Sequence, residues 1–181
     1  MDNKNIPKII KSKIVAKTRI FKVEQLDLEF SNGVTAQYER LVGSDRGAVL
    51  IVPMLDDDTV LLIREYAAGT HNYELGLPKG KIEGDESILY AANREIQEEV
   101  GFASNNLDHI ISITLAPGYL SHSTHIVLAK DLYESRAEGD EPEDIEVVPW
   151  SLKNLNELLL RDDFTEARSI AALFMVRDRM R

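Results

Sequence analysis

Apolar and polar positions alternate through Leu26, Leu28 and Phe30, and this predicts a strand over residues 18–30, because successive strand side chains point to opposite faces. Ser31, Asn32 and Gly33 form a turn signal, after which residues 34–42 return as a second strand. Residues 48–53 and 59–63 are short apolar runs on either side of an acidic turn at 56–58, a pattern that predicts a core hairpin. The periodicity then turns helical over residues 86–100, with Gly84 and Asp85 just before, acidic residues in the first turn, and Gly101 as the stop. Further strands are predicted over 107–115, 125–132 and 145–148, and closing helices over 151–160 and 165–179. Strands interleaved with a few helices predict an α/β or α+β architecture. Neither a repeat nor a linker interrupts the pattern. The expected organisation is an N-terminal β-hairpin extension over 1–46 and one catalytic-sized domain over 47–181.

Composition narrows the setting. The chain has 181 residues, 44% hydrophobic and 29% charged, an ordinary globular mixture. It contains no cysteine, which excludes disulfides and cysteine-bound zinc. No apolar run approaches the ~18 residues of a membrane span, and the start at Met1 lacks the apolar core of a secretory leader, so a cytoplasmic location is expected. The net charge of −10 is opposite in sign to what a general nucleic-acid binder needs. An anionic substrate would need a cation between itself and such a protein, and a divalent metal held by carboxylates supplies one.

The predicted helix carries the densest chemistry. Glu95, Glu98 and Glu99 are related by helical i+3 and i+4 steps, so their carboxylates share a face. Crowded carboxylates repel, and either a cation or water must relieve them. Oxygen-only ligands suit magnesium or manganese rather than zinc. Arg94 lies one turn before Glu98. Taken alone, this string also describes a solvated acidic helix face laced by Arg–Glu pairs.

The surrounding positions extend the pattern. Gly80, Glu86, Arg94, Glu95, Ile96, Glu98, Glu99, Gly101 and Phe102 fill every fixed position of the Nudix box, and the chain therefore resembles the Nudix hydrolases. Segments 21–33, 48–53, 62–66, 73–76, 139–142 and 166–174 resemble the bacterial ADP compounds hydrolases, relatives of the ADP-ribose pyrophosphatases. Pro117, fifteen residues after Phe102, resembles the proline that marks the ADP-ribose enzymes. The resemblance implies an α/β/α sandwich around a mixed β-sheet. It also implies hydrolysis of ADP-linked compounds such as ADP-ribose, reduced NAD or short diadenosine polyphosphates, to AMP plus a second phosphate, with Mg2+ or alternatively Mn2+.

The same resemblance implies residue roles. Glu95 and Glu99 are expected as metal ligands, Glu98 as a further ligand or base, and the backbone carbonyl of Lys79 as an additional ligand. Glu86 would brace the loop and Arg94 would orient Glu98. The acidic loop 140–144 would supply Glu141 as base and Glu143 as ligand. Arg64 and Arg46 would meet phosphate or ribose, and Phe21 matches an aromatic that stacks on adenine across a homodimer built on strands 18–42. His71, His109, His122 and His125 form no metal-ligand pattern. A nucleotide-binding sensor on the same scaffold is the competing class. Such modules usually lose box carboxylates, and here Glu95, Glu98 and Glu99 are all present.

Overall fold

The computed structural model describes residues 5–44 and 46–180; residues 1–4, on which the expectation about a secretory leader falls, lie outside the described residues, as do Asp45 and Arg181. The turn at Ser31–Gly33 forms as its residues predict: Asn32 Oδ1 accepts from the Val34 N–H at 3.1 Å, and Gly33 takes φ +79°, a region that glycine enters without strain. It joins β2 (Lys22–Glu29) to β3 (Thr35–Val42), an antiparallel pair in register from Val23↔Leu41 to Glu29↔Thr35. The expected strand over 18–30 starts later than its pattern suggested, because Thr18 and Phe21 close a turn in which the Phe21 N–H donates to Thr18 Oγ1 at 3.0 Å. Ahead of that turn stands a strand the pattern did not disclose, β1 (Lys8–Lys17), antiparallel to β2 and exposed along all ten residues. The expected N-terminal hairpin is thus present, and β1 extends it to a three-stranded meander.

The chain divides into two compact units, residues 1–47 with 114–123, and residues 48–113 with 124–181. In the second unit β4 (Ala48–Pro53) and β5 (Thr59–Ala67) arise from the two apolar runs. They are not a paired hairpin: a single bridge, Met54↔Val60, links them, and they enter different sheets. The elements that follow are β6 (Asn72–Gly76), β7 (Lys79–Lys81), α1 (Ile88–Glu99), β8 (Phe102–Thr114), β9 (Leu120–Ser121), β10 (Ser123–Glu134), β11 (Glu146–Ser151), α2 (Leu155–Leu158) and α3 (Ala167–Arg179). Where one helix was expected over 151–160, Ser151 still belongs to β11 and a 3-10 turn precedes the short α2. The small β9 belongs to the first unit, parallel to the end of β3.

One sheet of the second unit has the order β7-β4-β10-β8 and is mixed, with β4 parallel to β10 and antiparallel to β7; the other has the order β11-β5-β6 and is antiparallel. The core follows from strand alternation. Leu50, Val52, Leu62, Ile126 and Leu128 point into one cluster with Leu155, Leu158, Leu173 and Val176 of α2 and α3. Val49, Ile51, Leu61, Ile63 and Val127 point the other way, into a cluster with Ala91, Ala92, Ile96 and Val100 of α1 and its end. Strands that are apolar on both faces therefore lie between helices, and this is the α/β/α sandwich around a mixed sheet that the sequence implied. Each fully buried aliphatic side chain here contributes roughly 1.5–3 kcal/mol.

Candidate active site

Helix α1 starts at Ile88, capped by Ser87, whose Oγ accepts from the Tyr90 N–H at 3.2 Å. Glu86, expected in the first helical turn, instead precedes the cap, and its Oε2 accepts from the Glu83 N–H at 3.1 Å. The helix ends where the sequence placed its stop: Gly101, at φ +83°, donates to the Ile96 carbonyl at 3.0 Å. Its buried face carries Ala91, Ala92 and Ile96, and on the same face Glu95 and Glu99 are buried. A buried carboxylate needs compensation, and two devices provide part of it.

The first is Arg94. Its Nε donates to Glu86 Oε1 at 2.9 Å and its NH2 to Glu86 Oε2 at 3.1 Å and the Lys81 carbonyl at 3.0 Å. Its NH1 donates to Glu95 Oε1 and to Glu98 Oε2, each at 2.9 Å. The carboxylates, Glu86 first, hold the guanidinium well above its ordinary range. Glu95 still sits above the usual carboxylate range, because burial outweighs Arg94. The second device is the Lys79 backbone, whose N–H donates to Glu99 Oε2 at 2.9 Å. Burial nonetheless pushes Glu99 up to about 8. Gly80 explains the close approach of strand and helix: a Cβ there would stand 1.8 Å from Glu95 Oε1.

A carboxylate unmarked by sequence reasoning completes the arrangement. Leu61 and Ile63 of β5 face α1, and by the two-residue period so does Glu65. Glu65, Glu99 and Glu141 each present an oxygen within 4.8 Å of the others. Burial, then the charges of Glu65 and Asp140, raise the Glu141 carboxyl. The donor set is oxygen-only and its most buried member is penalised for being charged alone, which fits a hard divalent cation. The alternation along β5 is the signal that would have found Glu65.

A cleft of about 780 Å³ gathers Lys79, Arg94, Glu95, Glu98, Glu99, Glu141 and Glu143 among its lining. Glu143 turns toward Tyr73, whose hydroxyl donates to it at 2.6 Å. Arg64, one position off Glu65, takes the opposite face of β5 and is committed to ion pairs with Glu146 at 2.8 Å and with Asp163. It also lines a smaller recess of about 260 Å³ with Tyr66, Tyr73 and the 141–146 loop. Phe21, Arg46 and Pro117 belong to the first unit. There Phe21 is exposed in the turn before β2, Arg46 is exposed, and Pro117 lies in a turn where the Ala116 carbonyl accepts from Tyr119 and Leu120.

Comparison with known proteins agrees with this anatomy. Residues 7–40 match the NudE-type Nudix hydrolase N-terminal domain, and residues 45–174 match the NUDIX domain. The chain is 51% identical over 172 residues to ADP compounds hydrolase NudE of Escherichia coli (strain K12), covering 95% of this chain and 92% of that one. It is 27% identical over 173 residues to ADP-ribose pyrophosphatase of Bacillus subtilis (strain 168), covering 92% of each. A crystal structure of ADP compounds hydrolase superposes with a TM-score of 0.91 at 48% identity, covering 99% of this chain and 97% of that one. With the box helix, the buried carboxylates and the sandwich in agreement, this chain belongs to the Nudix family and is a Nudix hydrolase.

Proposed function

We infer that this chain is a metal-dependent pyrophosphohydrolase of ADP-linked compounds, releasing AMP and a second phosphate-bearing product from ADP-ribose, reduced NAD or short diadenosine polyphosphates. The observation that carries the reading is the Glu65–Glu99–Glu141 group, oxygens within 4.8 Å of one another, at the end of the box helix. Similarity to the ADP compounds hydrolase and the ADP-ribose pyrophosphatase supplies the substrate class. Glu95, Glu98 and Glu99, with the Lys79 carbonyl and Glu143, and with Glu65 added by the converging group, would hold Mg2+ or Mn2+. When bound, such ions neutralise pyrophosphate charge and lower the pKa of water.

The chain's own residues do the rest. Arg94 holds Glu95 and Glu98 in place by donating to both from NH1. Glu98 or Glu141 accepts the proton of the attacking water. Arg64 and Arg46 receive phosphate or ribose, and Phe21 and Pro117 shape the adenosine side. Residues 1–46 act as a dimerisation element and residues 47–181 as the catalytic domain. That role is supported by the apolar side chains Ile9, Ile10 and Ile14 that β1 leaves at least half exposed. Among the described residues no helix is long and apolar enough to cross a membrane. The enzyme works in the cytoplasm on small molecules rather than on nucleic acid.

The test is product identification. With Mg2+ or Mn2+, ADP-ribose and water should give AMP and ribose 5-phosphate, with phosphomonoesters untouched. Release of phosphate from AMP, or every ADP-linked compound left intact with metal present, would overturn the reading.

A further inference from the structure

The proposed chemistry gives the side-chain ammonium of Lys79, in the lining of the cleft, no task. Lys79 touches the acidic group twice. Its backbone N–H donates to Glu99 Oε2 at 2.9 Å, and its side-chain ammonium is ion-paired with Glu65 Oε1. Each side chain of that pair is only 24% exposed. Glu65 is also one of the three residues whose oxygens converge within 4.8 Å. The ammonium therefore reaches the place where a metal of this family would be bound. Its charge favours the ionised forms of both Glu99 and Glu141. Arg94 cannot substitute, because its guanidinium is spread over Glu86, Glu95, Glu98 and the Lys81 carbonyl.

We propose that the Lys79 ammonium is a tethered counter-ion of the Glu65–Glu99–Glu141 group, which a divalent metal must displace from Glu65 in order to bind. The proposal rests on the metal-dependent reading of the site and adds a competitor to it. Lysine suits the task. Its charge is a compact point on a flexible four-carbon stem, so it can leave without moving the backbone that holds Glu99. A rigid, forked arginine would be harder to dislodge. An ammonium carries one charge where the metal carries two, so the exchange favours the metal when it is available and protects the carboxylates when it is not.

The test measures binding rather than turnover. Mn2+ is titrated into metal-free wild type and Lys79→Met, with free Mn2+ followed by electron paramagnetic resonance. Removing the competitor should tighten Mn2+ binding about tenfold, whereas Glu65→Gln should weaken it. In the wild type, isotope-labelled lysine should show the Lys79 side-chain resonance moving toward that of a free lysine as Mg2+ is added. This second measurement needs no variant and decides the matter even if Lys79→Met fails to fold. A Lys79 resonance indifferent to saturating Mg2+, or a folded Lys79→Met that binds Mn2+ no tighter than wild type, would overturn the proposal while leaving metal dependence standing. A wild type that binds neither ion would overturn both.

Discussion

Replacing Gly80 by alanine is the sharpest test of how strand and helix meet. The Cβ of alanine would lie 1.8 Å from Glu95 Oε1, 2.0 Å from Cδ and 2.2 Å from Oε2. Ordinary contact needs about 3.5 Å or more, so the carboxylate must retreat by more than 1 Å. Glu95 is only 8% exposed, and its Oε1 is held by Arg94 at 2.9 Å, so retreat sacrifices a charge-assisted hydrogen bond. That loss costs about 1.5–3 kcal/mol, and the overpacking about 1–3 kcal/mol more. Gly80 does not occupy the left-handed region, so alanine brings no backbone strain and recovers about 0.4–1 kcal/mol from the unfolded chain. The net cost expected for Gly80→Ala is about 1.5–5.5 kcal/mol, read by urea unfolding of the metal-free protein. In a Glu95→Ala background the obstacle is gone, and the same change should cost no more than about 0.5 kcal/mol. If the two substitutions proved additive, the Glu95 carboxylate would not be what requires glycine at this position.

Glu98→Gln and Glu99→Gln should each lower turnover by about two orders of magnitude or more with the far-ultraviolet circular dichroism unchanged; near-wild-type rates in both would remove the metal-site assignment. Sedimentation should show a homodimer at micromolar concentration, and truncation of β1 should shift it toward monomer; a monomeric full-length chain would refute the role of the N-terminal strands in assembly. Glu166, the cap of α3, accepts from the Ser169 N–H at 2.8 Å and from Arg168 Nε at 2.7 Å. Burial raises its carboxyl, but these bonds outweigh burial and hold it below the ordinary value. A depressed folded pKa means that its stabilisation is complete above the unfolded value, about 4.3, and is lost as pH falls below it. Glu166→Gln should cost about 1–2 kcal/mol at pH 7 and flatten that acid limb in thermal melts.

What could be read along the chain was set by contrast between apolar stretches and the polar residues around them. Strands β4 and β5 stood out because they are apolar on both sides, and α1 because its spacing and its glycine stop agree with one another. β1 has no such contrast: all ten residues are exposed, and lysines are interspersed with aliphatics. The short β6 and β7, interrupted by Pro78, give too few residues for a period to show. The expected hairpin of β4 and β5 missed a change of sheet, which depends on partners distant in sequence and not on the turn itself. In the site, box residues were legible because they are local. Glu65 was hidden beside Arg64, and only its register on β5 separates their destinations.

That locality has a consequence for how the site is assembled. The partners of Arg94 are separated from it by 1, 4, 8 and 13 residues, so closing those contacts demands little chain entropy. The box can acquire its ionic frame as soon as α1 docks on β4 and β7, before distant strands are in register. Glu65 and Glu141 come from far along the chain on either side and arrive only when the tertiary structure closes. Assembly thus has a built-in sequence: an early arginine-centred bracket, and a carboxylate trio that exists only in the finished molecule. A folding intermediate would hold the bracket yet bind divalent ions poorly, and metal would act as a late selector for the completed fold.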